Sequence, residues 1–341
     1  LADTRGQGAR VRKWRKNMST QAPAEYEKYY GPDNSKLAIC ATIGLITSIF
    51  GAASVMNDMT FGEPGVETNS WTILLFGQFF FIATLFSWFR LTIKENIAGM
   101  NSAQLKKSYV LGMFWFIFSE VMFFFAFFGA LFYIRTLVGP WLAGEGEGGR
   151  MNSLLWEGFE YNWPMALTPQ EAVGGVGNQV IANNGTFQSA EKTMAFGEAS
   201  AWYLWLPLWN TIILLTSSVT VHIAHMGLLD GNKKKFNIWL GLSVLLGIIF
   251  VFVQAFEYYE AYAHFGLTLN SGIYGSTFFM LTGFHGFHVL MGMTMLLIQW
   301  LRSVRGGHFT ADDHFGFEAA SWYWHFVDVV WVFLFLFVYI L

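Results

Sequence analysis

Seven stretches of the chain are apolar over spans long enough to cross a bilayer: Leu37 to Met56, Trp71 to Phe89, Tyr109 to Ile134, Trp202 to Ala224, Phe236 to Phe256, Thr277 to Leu301 and Ala319 to Leu341. About 20 apolar residues, wound as a helix, cover the ~30 Å hydrocarbon layer. A backbone in lipid must satisfy its own hydrogen bonds, so runs of this length predict helices. The pattern therefore predicts an all-α, polytopic protein with one seven-helix membrane domain over 37–341. Glycines recur inside several spans. They would weaken helices in water but suit close helix packing in lipid.

Two segments depart from the rhythm of span and short loop. The first is the N-terminal tail, 1–36. Its basic start, LADTRGQGARVRKWRKN, precedes a plausible initiator at Met18, so residues 1–17 read as an extension upstream of the natural start or as a flexible basic tail. The start lacks the apolar core of a signal peptide. The second is the connection 140–201, rich in Gly, Asn and Glu. Loops of this length are usually functional or disordered. Trp156, Phe159, Tyr161 and Trp163 argue against a disordered linker, and the expectation is an ordered outer cap lying on the bundle or on a neighbouring subunit.

Composition agrees with a membrane setting: 54% of residues are hydrophobic, 19% aromatic and only 13% charged, against about a quarter charged in soluble domains. A net charge of −3 gives no reason to expect nucleic acid as a partner. The charges are sorted by side. With the N-terminus inside, the tail, Arg90, Lys94, Lys106, Lys107, Lys233 to Lys235, Arg302 and Arg305 all fall on the inner side. Only Arg135, Arg150 and Lys192 fall outside, the asymmetry expected when basic residues stay cytoplasmic. Seven crossings then put the C-terminus outside, with acidic residues such as Asp58, Glu63, Glu145, Glu257 and Glu260 on that outer side. The lone cysteine, Cys40, excludes an internal disulfide and reads as a buried thiol in an apolar run.

The ionisable residues within the spans carry the candidate chemistry, because such groups are costly in lipid and normally face protein or water. His325 and Asp328 lie three residues apart and share a helix face in the last span. A mutually paired couple there can seal against another helix without an uncompensated charge. Glu120 stands among Phe116, Phe123, Phe124 and Phe127 in the third span; it reads as a helix-packing hydrogen bond or as a proton-relay or lipid-site residue. His285 and His288 share one face, as do His222 and His225. Paired histidines can hold haem or copper, yet imidazoles also simply bridge neighbouring helices. At the inner boundary, Trp88, Arg90 and Lys94 in WFRLTIKEN, and Arg302 and Arg305 in QWLRSVRGGHFT, combine tryptophan with basic side chains. This pattern suits lipid headgroups, and snorkelling inner-side residues would give the same pattern.

Five motifs make the chain resemble subunit III of the haem-copper cytochrome c oxidases from its first span to its last residue. They are GHFTADDHFGFEAASWYWHFVDVVW, YGSTFFMLTGFHGFHVLMG, QAFEYYEA, FSEVMFFFAFFGALF and LPLWNTIILLTSSVTVHIAHMGLLDGNKKK. The resemblance implies seven helices in two arms, helices 1–2 and helices 3–7, around a V-shaped cleft that holds phospholipids. It implies a non-catalytic core subunit of an aa3-type oxidase in the aerobic respiratory chain, which stabilises subunit I and supports proton uptake during oxygen reduction. No metal is then expected on this chain: haem and copper belong to partner subunits I and II, and cytochrome c is the electron donor. Carried over by position, Glu120 is the family's buried glutamate and His288 the histidine that faces it, a bond expected to join the arms. Trp88, Arg90, Lys94 and Glu95 form one headgroup cluster, and Arg302, Arg305, His308 and Thr310 a second. Gly129 and Tyr133 depart from common family residues, and the 140–201 loop is longer than in mitochondrial members. A bacterial inner membrane is therefore the preferred setting, with a mitochondrial inner membrane as the alternative. Three other readings are a quinol oxidase subunit III, which commonly has five helices, a self-sufficient membrane haem protein, and a proton channel.

Overall fold

A computed structural model describes residues 35–62, 68–165, 169, 205–269, 271–306, 309–311 and 313–341. Among these residues are seven helices long and apolar enough to cross a membrane. They are α1 (Leu37–Phe61), α2 (Ser70–Ile97), α3 (Ala103–Tyr133), α4 (Leu206–Leu229), α5 (Lys233–Ala263), α6 (Gly272–Gly306) and α7 (Phe315–Leu334). Each begins or ends near its predicted apolar span, and several run past it. The helix α2 continues to Ile97 and α6 to Gly306, because turns at a membrane boundary keep their backbone hydrogen bonds after the side chains become polar. Both α3 and α7 end in π-helical turns, Ile134–Val138 and Phe335–Ile340.

The chain divides into two compact units, one through Tyr109 and the other from Val110. The first contains α1 and α2, and the second holds the rest of α3 together with α4 to α7.

In the first unit, small residues make the contact. Gly44, Ser48, Gly51 and Val55 of α1 are buried, as are Ser70, Gly77 and Thr84 of α2, spaced by seven. A Cβ at Gly51 would stand 2.5 Å from the Leu74 backbone, and one at Gly77 would stand 2.5 Å from the Ser48 backbone nitrogen. The two helices therefore touch backbone to backbone, the arrangement by which helices associate where there is no hydrophobic drive between them. The seam's hydroxyls are satisfied within their own helices: Ser48 donates to the Gly44 carbonyl and Thr84 to the Phe80 carbonyl, each at 2.8 Å. Gly51→Leu is expected to open this hairpin. Overpacking of 1–3 kcal/mol corresponds to about tenfold faster backbone exchange, to be read by hydrogen-exchange mass spectrometry of α1 and α2 peptides. Exchange at the wild-type rate would contradict the seam.

In the second unit α7 is the hub. Trp324, Trp331 and Tyr323 are wholly buried. The Trp324 ring lies against Gly247 of α5 and Gly292 of α6, where a Cβ would come within 3.0 and 2.9 Å of it. Its Nε1 donates to Ser217 Oγ of α4 at 2.9 Å, so one side chain contacts three helices. Trp331 repeats the device, donating to Thr211 of α4 at 2.9 Å and stacking edge-on to Phe250 of α5. The helix α3 buries only Phe124 and Leu131. It is held by rings: Phe116 on Tyr323, Phe123 and Phe127 on Phe284, Phe124 on Phe326, and Phe128 on Phe333.

The described part of the long connection folds back onto this unit. The Tyr161 ring occupies the space beside Gly139, where a Cβ would meet it at 2.2 Å. Its hydroxyl donates to the Arg135 carbonyl at 2.9 Å. The Arg135 guanidinium lies over Trp163, and Trp163 packs edge-on to Tyr274 of α6. Burial pushes the Tyr161 phenol up, partly offset by the nearby Arg135 charge. Arg135 also donates to the Leu341 carbonyl. Residues 166–168 and 170–204 of this connection lie outside the described residues.

Candidate functional site

Glu120 enters the interior from α3 at the one point where that ring-lined helix carries a carboxyl. Its Oε2 is 2.9 Å from His288 Nε2 of α6. The other ring nitrogen, His288 Nδ1, is 2.6 Å from the Phe284 carbonyl oxygen. A carbonyl can only accept, so Nδ1 carries a hydrogen. The Nε2 contact is then either a carboxylic acid donating to a neutral ring or an imidazolium donating to a carboxylate, and in both cases one proton lies between α3 and α6. Phe123, Phe124 and Tyr323 pack around the imidazole. Both partners belong to the second unit, so this bond closes within the five-helix unit and does not join the two arms.

His285 points away from this pair although it lies only three residues earlier. It is fully buried, its Nε2 donates to the Val327 carbonyl at 3.1 Å, and its ring packs on Trp331. Its Nδ1 has no hydrogen-bond partner among the described residues.

His325 and Asp328 of α7 do come together. His325 Nδ1 is 2.8 Å from Ser218 Oγ of α4 and 3.6 Å from Asp328 Oδ2. Serine and aspartate here both converge on one ring nitrogen of the histidine. A relay for nucleophile activation needs them on opposite nitrogens, so this is not one. Asp328 is buried, with neither carboxyl oxygen in a hydrogen bond of good geometry among the described residues, while His325 stays partly exposed.

The boundary residues separate. Trp88, Arg90 and Lys94 are exposed along the end of α2, with Glu95 half-buried beside them. Arg305 is exposed in the last turn of α6, whereas Arg302 is turned inward. Arg302 donates to Gln299 Oε1 at 2.8 Å, and its guanidinium lies 4.8 Å from the centre of the Phe309 ring. That position ties the segment before α7 back onto α6. Thr310 accepts from the Asp313 backbone N–H at 3.1 Å and shapes the same turn. His308 lies outside the described residues.

Three polar contacts are not apparent from the sequence. Glu257, placed by charge sorting on the outer side, is wholly buried in α5 and accepts from Tyr339 at 2.6 Å. Asn210 of α4 donates to Gln254 of α5 at 3.4 Å. His225 of α4 meets His314 at 3.3 Å between their Nε2 atoms. The i, i+3 spacing of Gln254 and Glu257 was the available signal for the first two. Among the described residues, no group of three or more His, Cys, Asp or Glu side chains gathers as a metal ion's ligand set would require.

Helices, seams and polar interior together define a multi-pass α-helical membrane protein whose embedded titratable groups are paired mainly across its own helix contacts. A family model described as cytochrome c oxidase subunit III matches residues 33–142 and 194–341. The chain is 38% identical over 276 residues to cytochrome c oxidase subunit 3 of Loxodonta africana, covering 80% of this chain and 84% of that one. It is 39% identical over 272 residues to cytochrome c oxidase subunit 3 of Danio rerio, with the same coverage. The chain belongs to the cytochrome c oxidase subunit III family. The family match breaks off between 142 and 194, inside the connection expected at 140–201.

Proposed function

We propose that this chain is the non-catalytic core subunit III of an aa3-type cytochrome c oxidase, in direct contact with subunit I and in one complex with subunit II. In this reading it stabilises subunit I, supports proton uptake during oxygen reduction, and binds no haem or copper of its own; cytochrome c is the donor to the complex. The setting is a bacterial inner membrane, with the N-terminus cytoplasmic and the C-terminus periplasmic. The observation that carries the reading is the Glu120–His288 contact. The imidazole spends one nitrogen on the Phe284 carbonyl and the other on the carboxyl, so its chemistry serves helix cohesion. The exposed Trp88, Arg90 and Lys94 of α2 and Arg305 of α6 support binding of phospholipid headgroups at the inner boundary. The inward position of Arg302 assigns it to holding the turn before α7.

Mild-detergent purification through a tag on this chain, followed by native mass spectrometry, tests the reading. The chain is expected to travel with subunits I and II and with phospholipids. The paired change Arg90→Gln and Lys94→Gln is expected to reduce phospholipid retention while the haem spectrum of the complex stays unchanged. A Soret band stoichiometric with the isolated polypeptide would overturn the proposal.

A further inference from the structure

At the end of the second unit where α4 begins and α5 finishes, four buried polar atoms have no hydrogen-bond partner among the described residues. They are Trp205 Nε1, Asn210 Oδ1, Gln254 Nε2 and Glu257 Oε2. They belong to one neighbourhood, in which the Gln254 amide faces Glu257 and Tyr339 without closing a hydrogen bond of good geometry to either. Asn210 and Gln254 are bonded at 3.4 Å, Tyr339 holds the other Glu257 oxygen at 2.6 Å, and the Trp205 and Tyr339 ring centres are 6.5 Å apart. Asn210 and Glu257 are wholly buried and Gln254 nearly so. Leaving such atoms unsatisfied costs about 1–3 kcal/mol each, a penalty that folded proteins rarely accept four times in one place.

The atoms sort by chemistry. Trp205 N–H and the Gln254 amide N–H can only donate, whereas Asn210 Oδ1 accepts and Glu257 Oε2 accepts when ionised. Turning over the two amides exchanges their roles but leaves the Trp205 donor and the Glu257 oxygen as they are. A metal cation is disfavoured by the two N–H donors, and a lipid headgroup is too large for a neighbourhood this enclosed. A ligand that is small and both donates and accepts meets the requirement.

We propose that these residues form a buried water-binding site, in which ordered water completes the hydrogen bonding of Trp205, Asn210, Gln254 and Glu257 and ties α4 and α5 to the π-helical turn carrying Tyr339. A site with several polar partners of both kinds is the environment in which internal water is retained. The inference is independent of the electron-transfer role of the complex.

The intact oxidase, imaged at a resolution that shows ordered waters and probed by X-ray hydroxyl-radical footprinting, tests it. Density is expected within hydrogen-bond distance of Trp205 Nε1 and Glu257 Oε2. Tyr339 is expected to be oxidised severalfold more than Tyr323, which is equally buried but away from the site. Glu257→Leu should bring Tyr339 labelling down to the Tyr323 level. Should that variant fail to assemble, Trp205→Phe, which removes one donor and keeps the ring, should still lower it. A dry map in which protein groups pair the four atoms, or Tyr339 labelling no greater than that of Tyr323, would overturn the proposal.

Discussion

Trp324→Ala is expected to be the most damaging single change in the second unit, destabilising it by about 3–5 kcal/mol as large-to-small changes at a filled core site do. The ring is wholly buried, touches Gly247 and Gly292, and donates to Ser217, so its loss loosens α4, α5 and α6 together. In a thermal scan of the purified complex followed by tryptophan fluorescence, the midpoint should fall on the order of 10 °C. Trp324→Phe keeps most of the volume and loses one hydrogen bond, a penalty of about 1 kcal/mol. A double mutant sharpens the test. Gly292→Ala alone pushes a Cβ to 2.9 Å from the ring and should destabilise, but in the Trp324→Ala background the clash is gone and the added methyl partly fills the hole. Independent, additive effects of the two changes would refute the contact, because neighbours in direct packing couple.

Glu120→Ala is the second large change. It strips His288 Nε2 of its partner, leaving a buried polar group that costs about 1–3 kcal/mol. It also removes the polar tie to α6 from a helix that buries only Phe124 and Leu131. The ratio of this chain to haem after purification should drop by roughly tenfold, the equivalent of 1.4 kcal/mol, with the haem spectrum of the remaining complex intact. Glu120→Gln should keep most of the association, since its amide N–H can donate to a neutral His288 ring. Loss of haem from a complex that still retains the chain would contradict this assignment.

The seven crossings were legible because a bilayer imposes one length on every apolar helix, and hydropathy reads that length directly. The last turns of α2 and α6 were not, since hydropathy falls at the interface while the backbone stays helical. Glu120 and His288 stood out as polar residues in apolar runs, and since they lie in the third and sixth spans the order of the spans alone places their bond within the five-helix arm. What spacing does not encode is which nitrogen of the ring meets the carboxyl. Arg302 and Arg305 look alike in the sequence and differ in the fold: one covers Phe309 and the other is exposed. Glu257 was masked for a related reason. Its position near the end of a span suggested solvent, and only the return of the chain as Tyr339 closes over it.

The central place of α7 bears on how the molecule is made. Residues leave the ribosome in order, so α4, α5 and α6 enter the bilayer before the helix whose indoles fasten them, and until Trp324 and Trp331 arrive Ser217 and Thr211 lack those donors. Consolidation of the five-helix unit is thus deferred until α7 has been made. Ribosome-bound intermediates stalled before residue 315 should remain open to proteolysis at the α4–α5 turn, where Gly231 holds a left-handed conformation.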